Sequence, residues 1–129
     1  MLLFIGLGLW DEKDISVKGL EEAKNCDILY AEFYTSKMGV DTKKLEKQLG
    51  KKIIVLDREN AEKGDKIIND AKNKKVGFLV AGDPMTATTH ISLRIKAIEE
   101  GIKTKIIHGA SIITASAGLL GLQIYKFGR

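Results

Sequence analysis

Apolar residues gather along the chain in five short runs separated by longer amphipathic stretches: "LLFIGL" (2–7), "DILYAE" (27–32), "KIIVL" (52–56), "VGFLVA" (76–81) and "TKIIH" (104–108). The runs are rich in β-branched or aromatic residues, and each predicts a strand. Between them the spacing turns helical, as in Val17, Leu20, Ala23 and Lys24 after the first run and Ile67, Ile68 and Ala71 after the third. Strands that alternate with helices imply βαβ units and a parallel sheet. Continuous rather than alternating apolarity within the runs implies a sheet covered on both faces. The pattern therefore predicts an α/β fold, a doubly wound and mainly parallel five-stranded sheet with helices on both faces. Punctuation agrees: Ser16 or Asp14 is placed to cap the first helix, Asp41 or Thr42 the second, and Gly101 to end the fourth. A last segment, "SIITASAGLLGLQIYKFGR", reads as a short apolar helix before the chain end.

With 129 residues and 44% hydrophobic content, the chain suits one domain, residues 1–129, able to bury about two-thirds of its unfolded surface. The opening run lacks a basic leader and a cleavage pattern, so a strand is expected there rather than a signal peptide. No run reaches transmembrane length, and no membrane partner is expected. The single cysteine, Cys26, rules out an internal disulfide and suits a reducing interior, so the expected location is cytoplasmic. The thiol itself reads as a packed core residue. His90 and His108 have no Cys or His partner at metal-ligand spacing; no metal site is expected, and both read as polar loop-edge residues.

The net charge of +4 is unevenly spread. Residues 1–42 hold four Lys against eight acids, whereas residues 43–75 hold eleven Lys or Arg against six acids. The basic stretch reads as a solvated face, and because aromatics are not interleaved with it, sequence-specific nucleic-acid binding is not expected.

In open α/β sheets ligands bind beyond the carboxyl ends of the strands, which directs attention to three loops. The first, "GLGLWDEKDIS", has Gly6 and Gly8 at the spacing of a dinucleotide fingerprint, with Glu32 placed where a ribose-binding acid would stand. Asp11 occupies the third glycine position, which opposes that reading and sets a carboxylate against phosphate. Two glycines then mean close approach of backbone to another ligand or a tight turn, with Trp10 as a half-buried plug. The second loop, "GDPMTATTH" (82–90), is richer. Gly82 frees the backbone, Pro84 fixes φ, and Asp83 and the threonines supply polar groups. Asp83 with Thr88 or Thr89 can equally be helix caps. The third, "HGAS" (108–111), offers a glycine and Ser111 as a cap. One crevice bounded by these loops favours a cationic or neutral nucleoside over a phosphate.

The stretches "IGLGLWDEKDISVKGLEEAKNCD", "YAEFYTS", "AGDPMTATTH", "HGASI" and "GLQIYKFGR" together resemble the archaeal diphthine synthase family, within the tetrapyrrole-methylase-like (class III) methyltransferases. The likeness runs from Met1 to Arg129. It implies a tetrapyrrole-methylase N-terminal-domain-like fold, S-adenosylmethionine as methyl donor, and S-adenosylhomocysteine as product. The acceptor it implies is the amino group of a modified histidine on translation elongation factor 2, in diphthamide biosynthesis. It also implies contacts to the donor from Leu9, Asp83, Thr86, Ser111 and Ile112, with Gly82 and Pro84 shaping the loop, and a homodimer. Members are about twice as long, so the chain is expected to be the N-terminal half of a two-domain enzyme, lacking the C-terminal domain and inactive alone. No general base emerges among these residues. Tyr30 reads as packing; Phe33 and Tyr34 either pack the end of the second strand or line the acceptor side. Two other readings remain, a tetrapyrrole or corrin-precursor methylase and a non-catalytic module binding a nucleotide or a partner.

Overall fold

The structure is a computed structural model and describes residues 1–126 apart from 35, 37 and 40. Thr35 of "YAEFYTS" and residues 127–129 of "GLQIYKFGR" lie outside the described residues. All five apolar runs are strands: β1 (Leu2–Gly6), β2 (Ile28–Glu32), β3 (Ile53–Leu56), β4 (Val76–Val80) and β5 (Thr104–Ile107). They form one sheet in the order β3-β2-β4-β1-β5, and every pairing is parallel. β1 is in register with β4 from Leu2↔Val76 to Gly6↔Val80 and with β5 from Leu2↔Thr104 to Ile5↔Ile107.

Successive residues of a strand point to opposite faces, and the core divides accordingly. Leu3, Ile5, Leu29 and Leu79 face one layer with Ala23 of α1 (Val17–Lys24) and Leu45 and Leu49 of α2 (Thr42–Leu49). Leu2, Phe4, Tyr30 and Phe78 face the other, where α3 (Arg58–Lys63), α4 (Asp65–Ala71) and α5 (His90–Glu99) supply Ala61, Ile67, Ile68, Leu93 and Ala97. β1 and β4, buried along their whole length, sit at the centre, as their unbroken apolarity requires. β3 lies at one edge, and its Val55 is half exposed. α6 (Ile112–Leu119) and a 3-10 turn, Ile124–Lys126, follow β5.

Local differences from expectation have clear causes. Ser16 caps α1, its Oγ accepting from the Gly19 amide at 3.0 Å. Asp41 caps α2 through the Lys43 amide at 2.9 Å. Asp14 instead closes its own loop, accepting from the Trp10 amide at 2.7 Å and the Asp11 amide at 3.2 Å. α1 buries Gly19 and Ala23, while Val17 is 73% exposed. The single helix read after the third strand is two, because Gly64 adopts φ +66° between α3 and α4. Cys26 is buried, and its thiol donates to the Glu22 carbonyl at 3.2 Å. At the amino end of the sheet, Glu22 pairs with Lys75 at 2.8 Å and also with Lys105, tying α1 to β4 and β5.

Candidate functional site

Because every strand runs the same way, the sheet order sets the loops after β4, β1 and β5 side by side at the carboxyl edge. The chain leaves β1 towards β2 over one face and leaves β4 towards β5 over the other, so the connections part above the sheet, the arrangement that opens a ligand crevice in such folds. Backbones meet there without intervening side chains. Gly8 and Gly82 form an antiparallel bridge, with the Gly82 amide donating to the Gly8 carbonyl at 2.8 Å. A Cβ on Gly6 would lie 2.6 Å from both the Gly109 nitrogen and the Gly82 oxygen; one on Gly109 would lie 2.5 Å from the Gly82 oxygen. The two glycines of "GLG" therefore serve loop-to-loop approach rather than a dinucleotide turn. Gly82 also takes φ +69°, a conformation that other residues reach only with strain.

Asp83 clasps the loops together. One carboxylate oxygen accepts from the Met85 amide at 2.9 Å and the Thr86 hydroxyl at 3.2 Å. The other lies 2.7 Å from His108 Nδ1 and 3.4 Å from the Gly109 amide. Burial pushes the Asp83 carboxyl up, but the Met85 amide and the His108 ring outweigh it and hold the group below the usual carboxylate range. An ionised carboxylate only accepts, so Nδ1 of His108 carries a proton and donates it to Asp83. The His108 side chain is 72% exposed, and the Asp83 side chain 9%. The alternative in which Asp83 caps a helix is not what the structure shows; α5 begins at His90, whose amide donates to the Thr88 hydroxyl at 3.1 Å.

Above this floor lies a crevice lined by Leu9, Gly82, Asp83, Thr86, Ser111 and Ile112 together with Gly8, Ser36 and the Ala87–Thr88 wall. Six of the seven residues singled out in the sequence thus come together. Pro84 does not line the crevice; it is buried behind the loop, where its carbonyl accepts from the Thr88 hydroxyl at 3.3 Å. Ser111 caps α6 through the Ile113 amide at 3.2 Å. Trp10 is 62% exposed rather than half-buried, with its indole beside Gly39. The Asp11 carboxylate turns to the Lys13 amide at 2.8 Å.

His108 and Gly109 were missed as partners of Asp83, although both stand in the quoted "HGAS"; no local pattern joins positions 25 residues apart. His90 also departs from expectation. It is buried on α5, edge-on to Phe78 with ring centroids 5.0 Å apart and 3.8 Å from the buried Glu32. Burial holds its ring below the usual imidazole range, with Glu32 opposing. Tyr30 packs in the core, and its hydroxyl donates to Asp70 at 2.6 Å. Phe33 packs against the core layer of α1 and α2. Among the described residues no group of three or more His, Cys, Asp or Glu is arranged to hold a metal, and no helix is long and apolar enough to cross a membrane.

Comparison with known proteins agrees with this architecture. The family model for tetrapyrrole (corrin/porphyrin) methylases matches residues 1–129. A diphthine synthase of Methanosarcina mazei is 55% identical over 130 residues, covering 100% of this chain and 49% of the relative. A diphthine synthase of Archaeoglobus fulgidus is 51% identical over 130 residues, covering 100% and 52%. A crystal structure of diphthine synthase superposes with a TM-score of 0.94 at 51% identity, covering 98% of this chain and 51% of that one. The chain spans about half the length of the curated relatives it matches.

Proposed function

The chain belongs to the tetrapyrrole (corrin/porphyrin) methylase family, and from that premise we propose that its crevice is one wall of an S-adenosylmethionine site in a protein methyltransferase of diphthamide biosynthesis. The observation that carries the reading is the convergence of Leu9, Gly82, Asp83, Thr86, Ser111 and Ile112 from three loops on one crevice. Support for the diphthine branch over a corrin-precursor methylase comes from relatives of that name at 51–55% identity. The acceptor in this reading is the amino group of the modified histidine of elongation factor 2, S-adenosylhomocysteine is the product, and the enzyme is a cytoplasmic homodimer.

The donor is a sulfonium, so its charge is compatible with an ionised Asp83 beside the crevice and with a lining that, among the described residues, holds no lysine or arginine. The carboxylate's four donors occupy its acceptor positions, so Asp83 fixes the lip while Thr86, the loop backbones and the side chains of Leu9 and Ile112 meet the ligand. Methyl transfer needs an in-line arrangement of nucleophile, methyl and sulfur more than it needs covalent help, and stiff loops supply that positioning. One wall makes part of the contacts of an enclosed site, so this chain by itself binds the donor weakly and transfers no methyl group.

The test is a titration with S-adenosylhomocysteine followed by amide chemical shifts and calorimetry. Saturable shifts at Leu9, Asp83, Thr86, Ser111 and Ile112 are expected. Shifts confined to the lysine-rich segment 43–52, or to none of these residues, would overturn the reading.

A further inference from the structure

On one face of the molecule the acids turn inward and the lysines do not. The face is built by α2 and the loop after β1, which meet where Glu12 and Lys13 border the same recess as Lys44, Lys47 and Gln48. Its carboxylates are spent on backbone amides: Asp11 accepts from Lys13 at 2.8 Å, Asp14 from Trp10 at 2.7 Å, Asp41 from Lys43 at 2.9 Å and Glu46 from Ile53 at 2.9 Å. Two lysines are engaged as well, Lys52 with Glu46 at 3.2 Å and Lys51 with the Cys26 carbonyl. Lys13, Lys43, Lys44 and Lys47 are exposed and make no ion pair or side-chain hydrogen bond among the described residues. Elsewhere lysines find acids, as Lys63 does Glu59, Lys72 does Glu100 and Lys96 does Asp65.

The charge is concentrated here. A neighbouring recess along α2 adds Lys43, Lys51 and Lys52, and the two recesses share Lys47. Together they hold six lysines against Glu12 and Glu46, a surplus equal to the +4 of the entire chain, so the rest of the molecule is balanced. This arrangement works against the helix that carries it. Lys43 and Lys44 stand in the first turn of α2, which holds no acid, and the positive end of a helix disfavours cations. Lys43 and Lys47 are one turn apart, where like charges repel. Local choices that oppose the local structure mark positions kept for another purpose.

An aromatic side chain extends the face towards the crevice. Trp10, the chain's one tryptophan, is 62% exposed, yet its loop is fixed by Asp14 and its indole lies against Gly39, just before α2. Its neighbour Leu9 lines the crevice. A held, outward tryptophan beside uncommitted cations suits protein docking, in which an aromatic anchor supplies buried contact and the surrounding charges steer and orient. We propose that Trp10 with Lys13, Lys43, Lys44 and Lys47 docks an acidic surface of the protein substrate. The inference rests on the protein methyltransferase reading above. Nucleic acid fits the face less well, because its described lining has no arginine, whose planar fork matches phosphate, and Glu12 stands among its lysines.

The test titrates the chain with a decaglutamate peptide, an uncharged glycine-serine peptide of equal length and deca-uridine, reading Trp10 fluorescence and amide shifts. A saturable change in Trp10 emission and shifts at Lys13, Lys44 and Lys47 are expected with the acidic peptide, weakened about tenfold as salt rises from about 0.05 to about 0.5 M, with no response to the neutral peptide. Lys44→Glu gives a readout that a structural lysine would not: it places an acid in the first turn behind the Asp41 cap, so the melting temperature should rise by about 2 °C while peptide affinity falls about fivefold. The S-adenosylhomocysteine response at Thr86 and Ser111 should be unchanged. A lower melting temperature, unchanged peptide affinity in Lys44→Glu, or an equal response to the neutral peptide would overturn the docking surface. Deca-uridine bound at the same residues at least as tightly as the peptide would overturn its assignment to a protein partner. Peptide binding with no S-adenosylhomocysteine response in the crevice would sink the methyltransferase reading, and with it the partner's identification as substrate, while leaving an acidic-protein surface; the reverse pattern would sink the docking surface alone.

Discussion

Replacing Asp83 by asparagine preserves shape and removes the charge, which tests whether this carboxylate holds the crevice together. The carboxylate meets donors on both oxygens: the Met85 amide at 2.9 Å and Thr86 hydroxyl at 3.2 Å on one, His108 Nδ1 at 2.7 Å and the Gly109 amide at 3.4 Å on the other. An amide side chain has a single oxygen, so one pair of donors must face its NH2 group. With the oxygen kept towards Met85 and Thr86, His108 can change tautomer and accept, whereas the Gly109 amide cannot. A hydrogen bond to a charged group contributes about 1.5–3 kcal/mol and a neutral one about 1, so the His108 contact loses about 1 kcal/mol or slightly more. The donor-to-donor contact at Gly109 adds about 1 kcal/mol. The expected destabilisation is about 2–3 kcal/mol, read by urea unfolding with linear extrapolation. His108→Ala removes one exposed partner and should cost about 1 kcal/mol; in the double variant the effects should fall short of additive by a similar amount. An Asp83→Asn protein within about 0.5 kcal/mol of the parent, or strict additivity with His108→Ala, would refute the clasp.

Three further outcomes follow from other parts of the molecule. Gly109→Ala places a Cβ 2.5 Å from the Gly82 oxygen and 3.0 Å from the Gly6 carbonyl carbon, a clash with backbone that should cost about 1–3 kcal/mol in the same urea assay; a neutral result would show that the loops separate readily. The pairing of Glu22 with Lys105 and Lys75 depresses its carboxyl to about 2, so its contribution is full above the normal glutamate pKa and is lost as pH falls from about 4.5 towards 2. With the Glu22 side chain 21% exposed, the amount is discounted to about 1–2 kcal/mol, and Glu22→Gln should remove that acid-side slope. Burial pushes the Cys26 thiol up to about 11, so a thiol reagent at pH 8 should react only as fast as the chain unfolds, and prompt labelling would contradict the packed core around it.

The strands were legible because each is an apolar run whose residues must be covered on two faces, and β1 and β4 are buried from end to end. The caps at Ser16 and Asp41 were legible for a local reason as well, since a side-chain oxygen beside a helix start satisfies amides two or three residues on. What could not be read was decided at a distance. Asp83 resembles a helix cap until β5 brings His108 to its carboxylate. His90 resembles a surface histidine until α5 packs it against Phe78 and Glu32. Trp10 suggested a plug, yet its loop is closed by Asp14 accepting backbone amides, which leaves the indole outward. Of the loop residues singled out, only Pro84 falls behind the crevice, because it fixes the turn whose other members face forward.

The sheet order is the step on which the crevice depends, because residues 6–9, 82–86 and 108–112 meet only if β4, β1 and β5 are neighbours. Once they are, two kinds of residue divide the work. Gly6 and Gly109 are bound by close backbone approach and can change only by moving the loops, and Gly82 is bound by its φ of +69°. Leu9 and Ile112 are 39% and 61% exposed and can change without disturbing the core. Substitutions of the glycines should therefore lower stability and ligand response together, whereas substitutions at Leu9 or Ile112 should alter the response alone.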